Sequence, residues 1–376
     1  MVKFKHFLSI LLVSISISIP ASAAPDAHSD AHSDVDFDRI IDDALRQQSI
    51  PGVSAIVIRD HRLVYSSGRG LADIESGRSM TERTVMYIGS LSKILTTVLA
   101  LNQVEHGALA MTDTLDRQPP ITVLQLITHR SGLPREGEFD YWFSGRFPHA
   151  QTLADYLGRA PLDFEPSTRT RYSNIGFAAL GSLVSEAAGQ DFEALMRAGV
   201  LEPLGMNDSG ARGPSSVVAS AYSPPGRLIP DMQRPFAGVG EKVGQRHRRM
   251  YHDAGAMSPA FGAYSTASDM GQLLLFLLGQ GGEDVLSAGM RARMFQPGPS
   301  NYGLGLRLDT IDGRRVARHG GWFAAYRSQL LLEPARGIGI VVLANSDSAA
   351  PDAIAEDLYH AVARSGTVSD RDRTAD

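Results

Sequence analysis

Apolar and polar positions divide the chain into strands at both ends and helices between them. Residues 36 to 48 set Phe37, Ile40, Ile41 and Leu45 at helical spacing among charged residues. Two β-rich runs follow, Val53 to Ile58 and Leu63 to Ser67, across Arg59-Asp60-His61-Arg62, which reads as a hairpin. Residues 90 to 106 predict a helix with Leu91, Leu95, Val98, Leu99 and Val104 on one side and Gly107 as its stop. Shorter helices are expected at Val123 to Thr128, 175 to 188 and 191 to 198. Thr266 and Asp269 form a capping-box-like start for a helix from Met270 to Leu278. Residues 210 to 265 are rich in Pro and Gly and read as loop. The last third returns to strands at Tyr302 to Leu308, Arg315 to His319, Tyr326 to Leu332 and Ile338 to Leu343, the last two flanking Glu333-Pro334-Ala335-Arg336-Gly337 as a hairpin. Ala353 to Ala363 closes the pattern as a helix.

The fold class that follows is α+β: one antiparallel β-sheet built from both chain ends and flanked by helices, with an inserted, mostly helical lobe. The sheet-bearing lobe is expected at about 36–89 and 300–366 and the helical lobe at about 90–299, together one domain over 36–366.

The ends read differently. Lys3 and Lys5, the apolar run Phe7 to Ile19 and the small-residue pattern Ala21-Ser22-Ala23 predict a signal peptide over 1–23, cleaved near Ala23, and export to a bacterial periplasm. Residues 24–35 and 367–376 are expected to be polar tails. His28 and His32 offer a weak metal site there, but a stretch without apolar residues reads as a disordered tail.

Composition narrows the function. Hydrophobic residues make up 43% and charged residues 20% of the 376, an ordinary globular balance. The net charge of −5 carries no basic bias of the kind nucleic-acid binders show. There are no cysteines, which removes disulfides, thiol catalysis and Cys-ligated zinc. Of 36 Lys and Arg, only Lys3, Lys5, Lys93 and Lys242 are lysines. A lysine kept in the mature chain therefore poses the question of what Arg could not do in its place.

Lys93 answers it in company with Ser90. As a purely structural feature, Ser90 is a helix N-cap. A capping box then wants Glu or Gln three residues on, and a lysine in the first turn opposes the helix dipole. Chemically, a serine hydroxyl needs a base in contact, and residues i and i+3 share a helix face. A buried lysine loses proton affinity, whereas arginine stays protonated. Alone, Ser-x-x-Lys is a weak signal.

Two further motifs join it: Tyr172-Ser173-Asn174 ahead of the helix at 175, and His319-Gly320-Gly321-Trp322 at a strand end. Each has a local reading, as a helix cap and as a glycine turn. In this order, with Tyr87-Ile88-Gly89-Ser90 and Leu126-Ile127-Thr128-His129-Arg130-Ser131-Gly132-Leu133, the chain resembles the serine β-lactamase and penicillin-binding fold family. The resemblance is nearest to the branch of class C β-lactamases, D-alanyl-D-alanine carboxypeptidases and related esterases. It implies an acyl-enzyme at Ser90, with Lys93 and Tyr172 sharing proton transfer. It also implies that Asn174 orients Lys93 and the substrate, that His319 tunes Tyr172, and that the N–H groups of Ser90 and Trp322 form an oxyanion hole. Gly320 departs from the family's hydroxyl residue, and His319 is a cation titrating near neutrality where many relatives carry Lys. Both weaken the β-lactam and D-Ala-D-Ala readings and favour a small ester, an amide or another D-amino-acid peptide.

The expected substrate is a small molecule or peptide, peptidoglycan-derived material included. No metal or other cofactor, nucleic acid or membrane span of the mature chain is expected. A penicillin-binding sensor or cell-wall binding module that does not turn over is the alternative of another class. A zinc hydrolase and an α/β-hydrolase lack their motifs here. Arg246-His247-Arg248-Arg249 reads as a solvated loop and His129 as a helix C-cap.

Overall fold

The computed structural model describes residues 35–214, 218–223, 239–243, 246–249 and 253–364. The expected signal peptide and both tails, Val35 apart, lie outside them. Among the described residues no helix is long and apolar enough to cross a membrane.

The described residues open with α1 (Phe37–Gln48), capped by Asp36, whose carboxylate accepts the backbone N–H of Arg39. Strands β1 (Gly52–Arg59) and β2 (Arg62–Asp73) form the expected hairpin. Its turn residues Asp60 and His61 both take positive φ, 50° and 61°, the geometry that matches the twist of two-residue hairpins. Short strands β3 (Arg78–Ser79) and β4 (Met86–Tyr87) lead to α2 (Ser92–Glu105). Then come α3 (Val123–Ile127), α4 (Tyr141–Ser144), α5 (Ala150–Arg159), α6 (Asn174–Ala188) and α7 (Phe192–Met196). Strands β5 (Ala221–Ser223), β6 (Val239–Val243) and β7 (Arg246–Arg249) precede α8 (Ser258–Phe261), β8 (Tyr264–Ser265), α9 (Ala267–Leu277) and α10 (Ala288–Met294). The described residues close with β9 (Arg307–Ile311), β10 (Arg314–Phe323), β11 (Tyr326–Glu333), β12 (Ile338–Ala344) and α11 (Pro351–Arg364).

Both chain ends build one antiparallel sheet in the order β3-β2-β1-β12-β11-β10-β9. Its two central strands are buried on both faces, so they read as unbroken apolar runs. Alternate residues divide between two cores. Val53, Ala55, Val57, Ile340 and Val342 pack against α1 and α11 through Ile41, Ile354 and Leu358. Ile56, Ile58, Val341 and Leu343 turn to the helical side, where the core continues through α2, α6 and α9. Each such Ile or Leu contributes about 1.5–3 kcal/mol on burial.

Three expectations change. Helix α2 is buried on every side from Ser92 to Asn102, so the one-sided apolar stripe was too narrow: it is the central helix of its lobe. The run Tyr302 to Leu308 is not a strand throughout, and β9 starts only at Arg307. Gly303 and Gly305 instead bend the chain closely past Met294 and Thr97. Residues 246–249 are not loop but β7, the middle strand of a small β5-β7-β6 sheet.

Candidate active site

Ser90 stands in a single 3₁₀ turn, Gly89–Leu91, that feeds α2. Two glycines press strand β10 against this turn. Gly89 has φ +54°, and a Cβ there would lie 2.4 Å from the Trp322 nitrogen. A Cβ on Gly321 would lie 2.2 Å from the Ile88 carbonyl oxygen. Side chains pin the same turn: Ser92 Oγ donates to Gly89 O at 2.6 Å and Ser328 Oγ to Ile88 O at 2.8 Å. The backbone nitrogens of Ser90 and Trp322 thus belong to segments in direct contact, and β9 pairs with β10 only as far as Arg318, leaving 319–322 along the cleft.

Lys93 follows one turn later, fully buried. Its Nζ donates to Asn174 Oδ1 at 2.8 Å, to Ala260 O at 2.6 Å and to Ser90 Oγ at 3.3 Å. Burial holds its pKa well below the usual lysine range; Glu136 opposes that and Arg135 adds to it. Lys93 can therefore shed its proton where an exposed lysine would not.

Tyr172 completes the pair. Its hydroxyl is hydrogen-bonded to Ser90, and burial pushes the phenol above its ordinary value, so it holds its proton. Lys93 Nζ sits 4.6 Å from the centre of its ring. Ser173 caps α6, accepting from Gly176 N–H at 2.8 Å, and this sets Asn174 at the first position of the helix, facing Lys93. The local cap and the functional reading of this motif are thus the same structure.

His319 corrects one expectation. Its ring is buried, 6.2 Å centre to centre from Tyr172, and its Nδ1 lies 2.7 Å from Gly320 O. A carbonyl only accepts, so Nδ1 carries the proton. Burial first and the Lys93 charge second push its pKa down to about 4. At neutral pH the residue is an uncharged imidazole, not a cation. His129 changes as well. It follows α3 in the left-handed conformation, φ +56°, but its ring is buried beneath Tyr172, with Nδ1 accepting from Ser173 N–H at 3.2 Å. Burial holds it neutral, so it buttresses Tyr172 instead of capping the helix with charge.

The family model described as Beta-lactamase matches residues 37–365. The chain belongs to the β-lactamase family. It is an enzyme of the serine-hydrolase type that this family comprises. Esterase EstB of Burkholderia gladioli is 28% identical over 82% of this chain and 89% of its own length. A D-alanyl-D-alanine-carboxypeptidase/endopeptidase, AmpH of Escherichia coli K12, is 25% identical over 62% of this chain and 59% of its own. The octameric penicillin-binding protein homologue from Pyrococcus abyssi shares the fold, with a TM-score of 0.73 at 23% identity over 87% of this chain and 77% of its own.

In this member of the β-lactamase family, Ser90, Tyr172, Asn174, His319, Gly320, Gly321 and Trp322 line one cleft of about 530 Å3, with Lys93 beneath its floor. Trp142, Phe261 and Trp322 make an aromatic wall, with ring centres 4.9 Å and 5.2 Å from Trp142. The Trp322 indole is fixed by its Nε1–H to Asp347 Oδ1 at 2.7 Å. Among the described residues no cluster of three or more His, Asp or Glu is arranged to hold a metal ion. Sequence reasoning missed Trp142, Asp347 and Glu136. Both Glu136 carboxylate oxygens accept from Asn174 Nδ2, at 2.8 and 3.0 Å, and Glu136 also accepts a hydrogen bond from Tyr141. Its only sequence signal was its place three residues beyond the Leu126 to Leu133 segment.

Proposed function

We propose that this protein hydrolyses a carboxylic ester, or an activated amide, through an acyl-enzyme on Ser90. The observation that carries the reading is the Lys93–Ser90–Tyr172 cluster: a buried lysine of lowered pKa and a protonated phenol, both on one hydroxyl. Neutral Lys93 takes the Ser90 proton as Oγ bonds to the acyl carbon. The N–H groups of Ser90 and Trp322 hold the oxyanion, and Asn174 and His319 position the partners. As the bond to the leaving group breaks, its oxygen or nitrogen receives a proton from Tyr172, which Lys93 replenishes. Water then attacks the acyl carbon, its proton passes to the same pair, and Ser90 is released with a carboxylic acid product.

The ester preference is supported by the neutral His319 and the missing hydroxyl at Gly320, which leave that point without the cation and hydroxyl that hold a carboxylate. Similarity to an esterase over most of its length supports it too. Export is part of the proposal, on the basic, apolar and small-residue pattern of residues 1–23. A panel of short chromogenic esters, a chromogenic cephalosporin and D-Ala-D-Ala peptides tests the reading. Steady turnover of esters above the other two is expected. Acylation without turnover of any of them would replace hydrolysis with a sensor's stalled adduct.

A further inference from the structure

The hydrogen bonds around Asn174 admit only one orientation of its amide. An ammonium donates and a carboxylate accepts. Lys93 Nζ lies 2.8 Å from one end of the amide, and the Glu136 oxygens lie 2.8 and 3.0 Å from the other. Oδ1 therefore faces Lys93 and Nδ2 faces Glu136. A flipped amide would set a donor against Lys93 and an oxygen against a carboxylate.

The consequence falls on Lys93. Asn174 Oδ1 and Ala260 O can only accept, so a neutral Lys93 spends its two N–H bonds on them. Its lone pair is left for its third neighbour, Ser90 Oγ. We propose that Glu136 is a positioning residue that locks Asn174 so that the lone pair of Lys93 is aimed at Ser90. Its charge has a second effect, since it favours the protonated lysine. Glu136 is itself held by Tyr141 and by Arg135 Nε at 3.1 Å. This inference rests on the reading of Lys93 as the base for Ser90.

Two variants separate orientation from charge. Glu136→Gln keeps an oxygen for Asn174 but loses the charge. Glu136→Leu loses both. Lys93 acts when neutral, and removing Glu136 removes a cause that raises its pKa, so the acidic limb of kcat/KM moves to lower pH in Glu136→Gln. The other ionisable neighbours, Arg135, His129, His319, Tyr141 and Tyr172, stay in place. Arg135, released from its partner, acts in the same direction. The high-pH plateau of Glu136→Gln stays within about tenfold of the parent, whereas that of Glu136→Leu falls on the order of a hundredfold, as expected for a misaimed reacting group. A merely structural residue would leave the limb where it was. An unmoved limb in Glu136→Gln, or a parental plateau in Glu136→Leu, overturns the proposal, and the first result decides even if Glu136→Leu does not fold. Covalent labelling of Ser90 is measured alongside: labelling that persists in Ser90→Ala overturns the acyl-enzyme reading itself, while Ser90-dependent labelling with an unmoved limb overturns only the role of Glu136.

Discussion

At the scale of single residues, the proposed chemistry turns on which groups hold a proton. Lys93→Arg preserves charge and roughly the length of the side chain, but arginine does not deprotonate. Hydrolysis of the best ester should fall by about 10²–10⁴-fold, the usual contribution of a general base, with the fold intact by circular dichroism. His319 gives a second prediction, read as stability. Its folded pKa, about 4, lies below the unfolded value near 6.5. The unfolded chain binds the proton first, so stability is present above that range and lost as pH falls from about 6.5 to 4. His319→Gln should lose less thermal stability over that window than the parent; an equal loss would contradict the neutral assignment. Lys93 was legible because a lysine in a first helical turn is locally unfavourable. Tyr172, Asn174, His319 and Trp322, each ordinary in its place, were legible only through the order of motifs that resembles the family. The charge on His319 was not legible, because it depends on burial and on Lys93 nearby. Glu136 was not legible either, because its partner is Asn174, distant in sequence.

At the scale of elements, glycines do the positioning. Gly321 leaves room for the Ile88 carbonyl and the Ser328 hydroxyl, each 2.2 Å from where a Cβ would sit. Gly321→Ala should push β10 away from the Ser90 turn, at a cost of about 1–3 kcal/mol. Denaturant melts should register that loss, and ester hydrolysis should fall further than stability alone explains because the Trp322 N–H moves with the strand. Parental rates would show that the contact does not set the site. Most strands and helices were readable from apolar spacing. The exceptions have physical causes. Helix α2 is enclosed, so its period carried little information. Near Gly303 the alternation survived, but the backbone bends around α10. At 246–249 a charged run pairs as a strand through backbone groups that composition does not report.

At the scale of the molecule, the sheet drawn from both chain ends was visible because its central strands are buried on both faces and had to be apolar. What composition could not reveal is that the helical core runs on from the sheet's inner face, so that the Ser90 turn is braced from α2 below and β10 beside it. The central claim is that this junction delivers one activated hydroxyl. Incubation with a fluorophosphonate probe, followed by digestion and mass spectrometry, tests it most directly. The account predicts a single adduct on the peptide containing Ser90 and none in Ser90→Ala. An adduct on any other residue, or labelling that persists in Ser90→Ala, would contradict it.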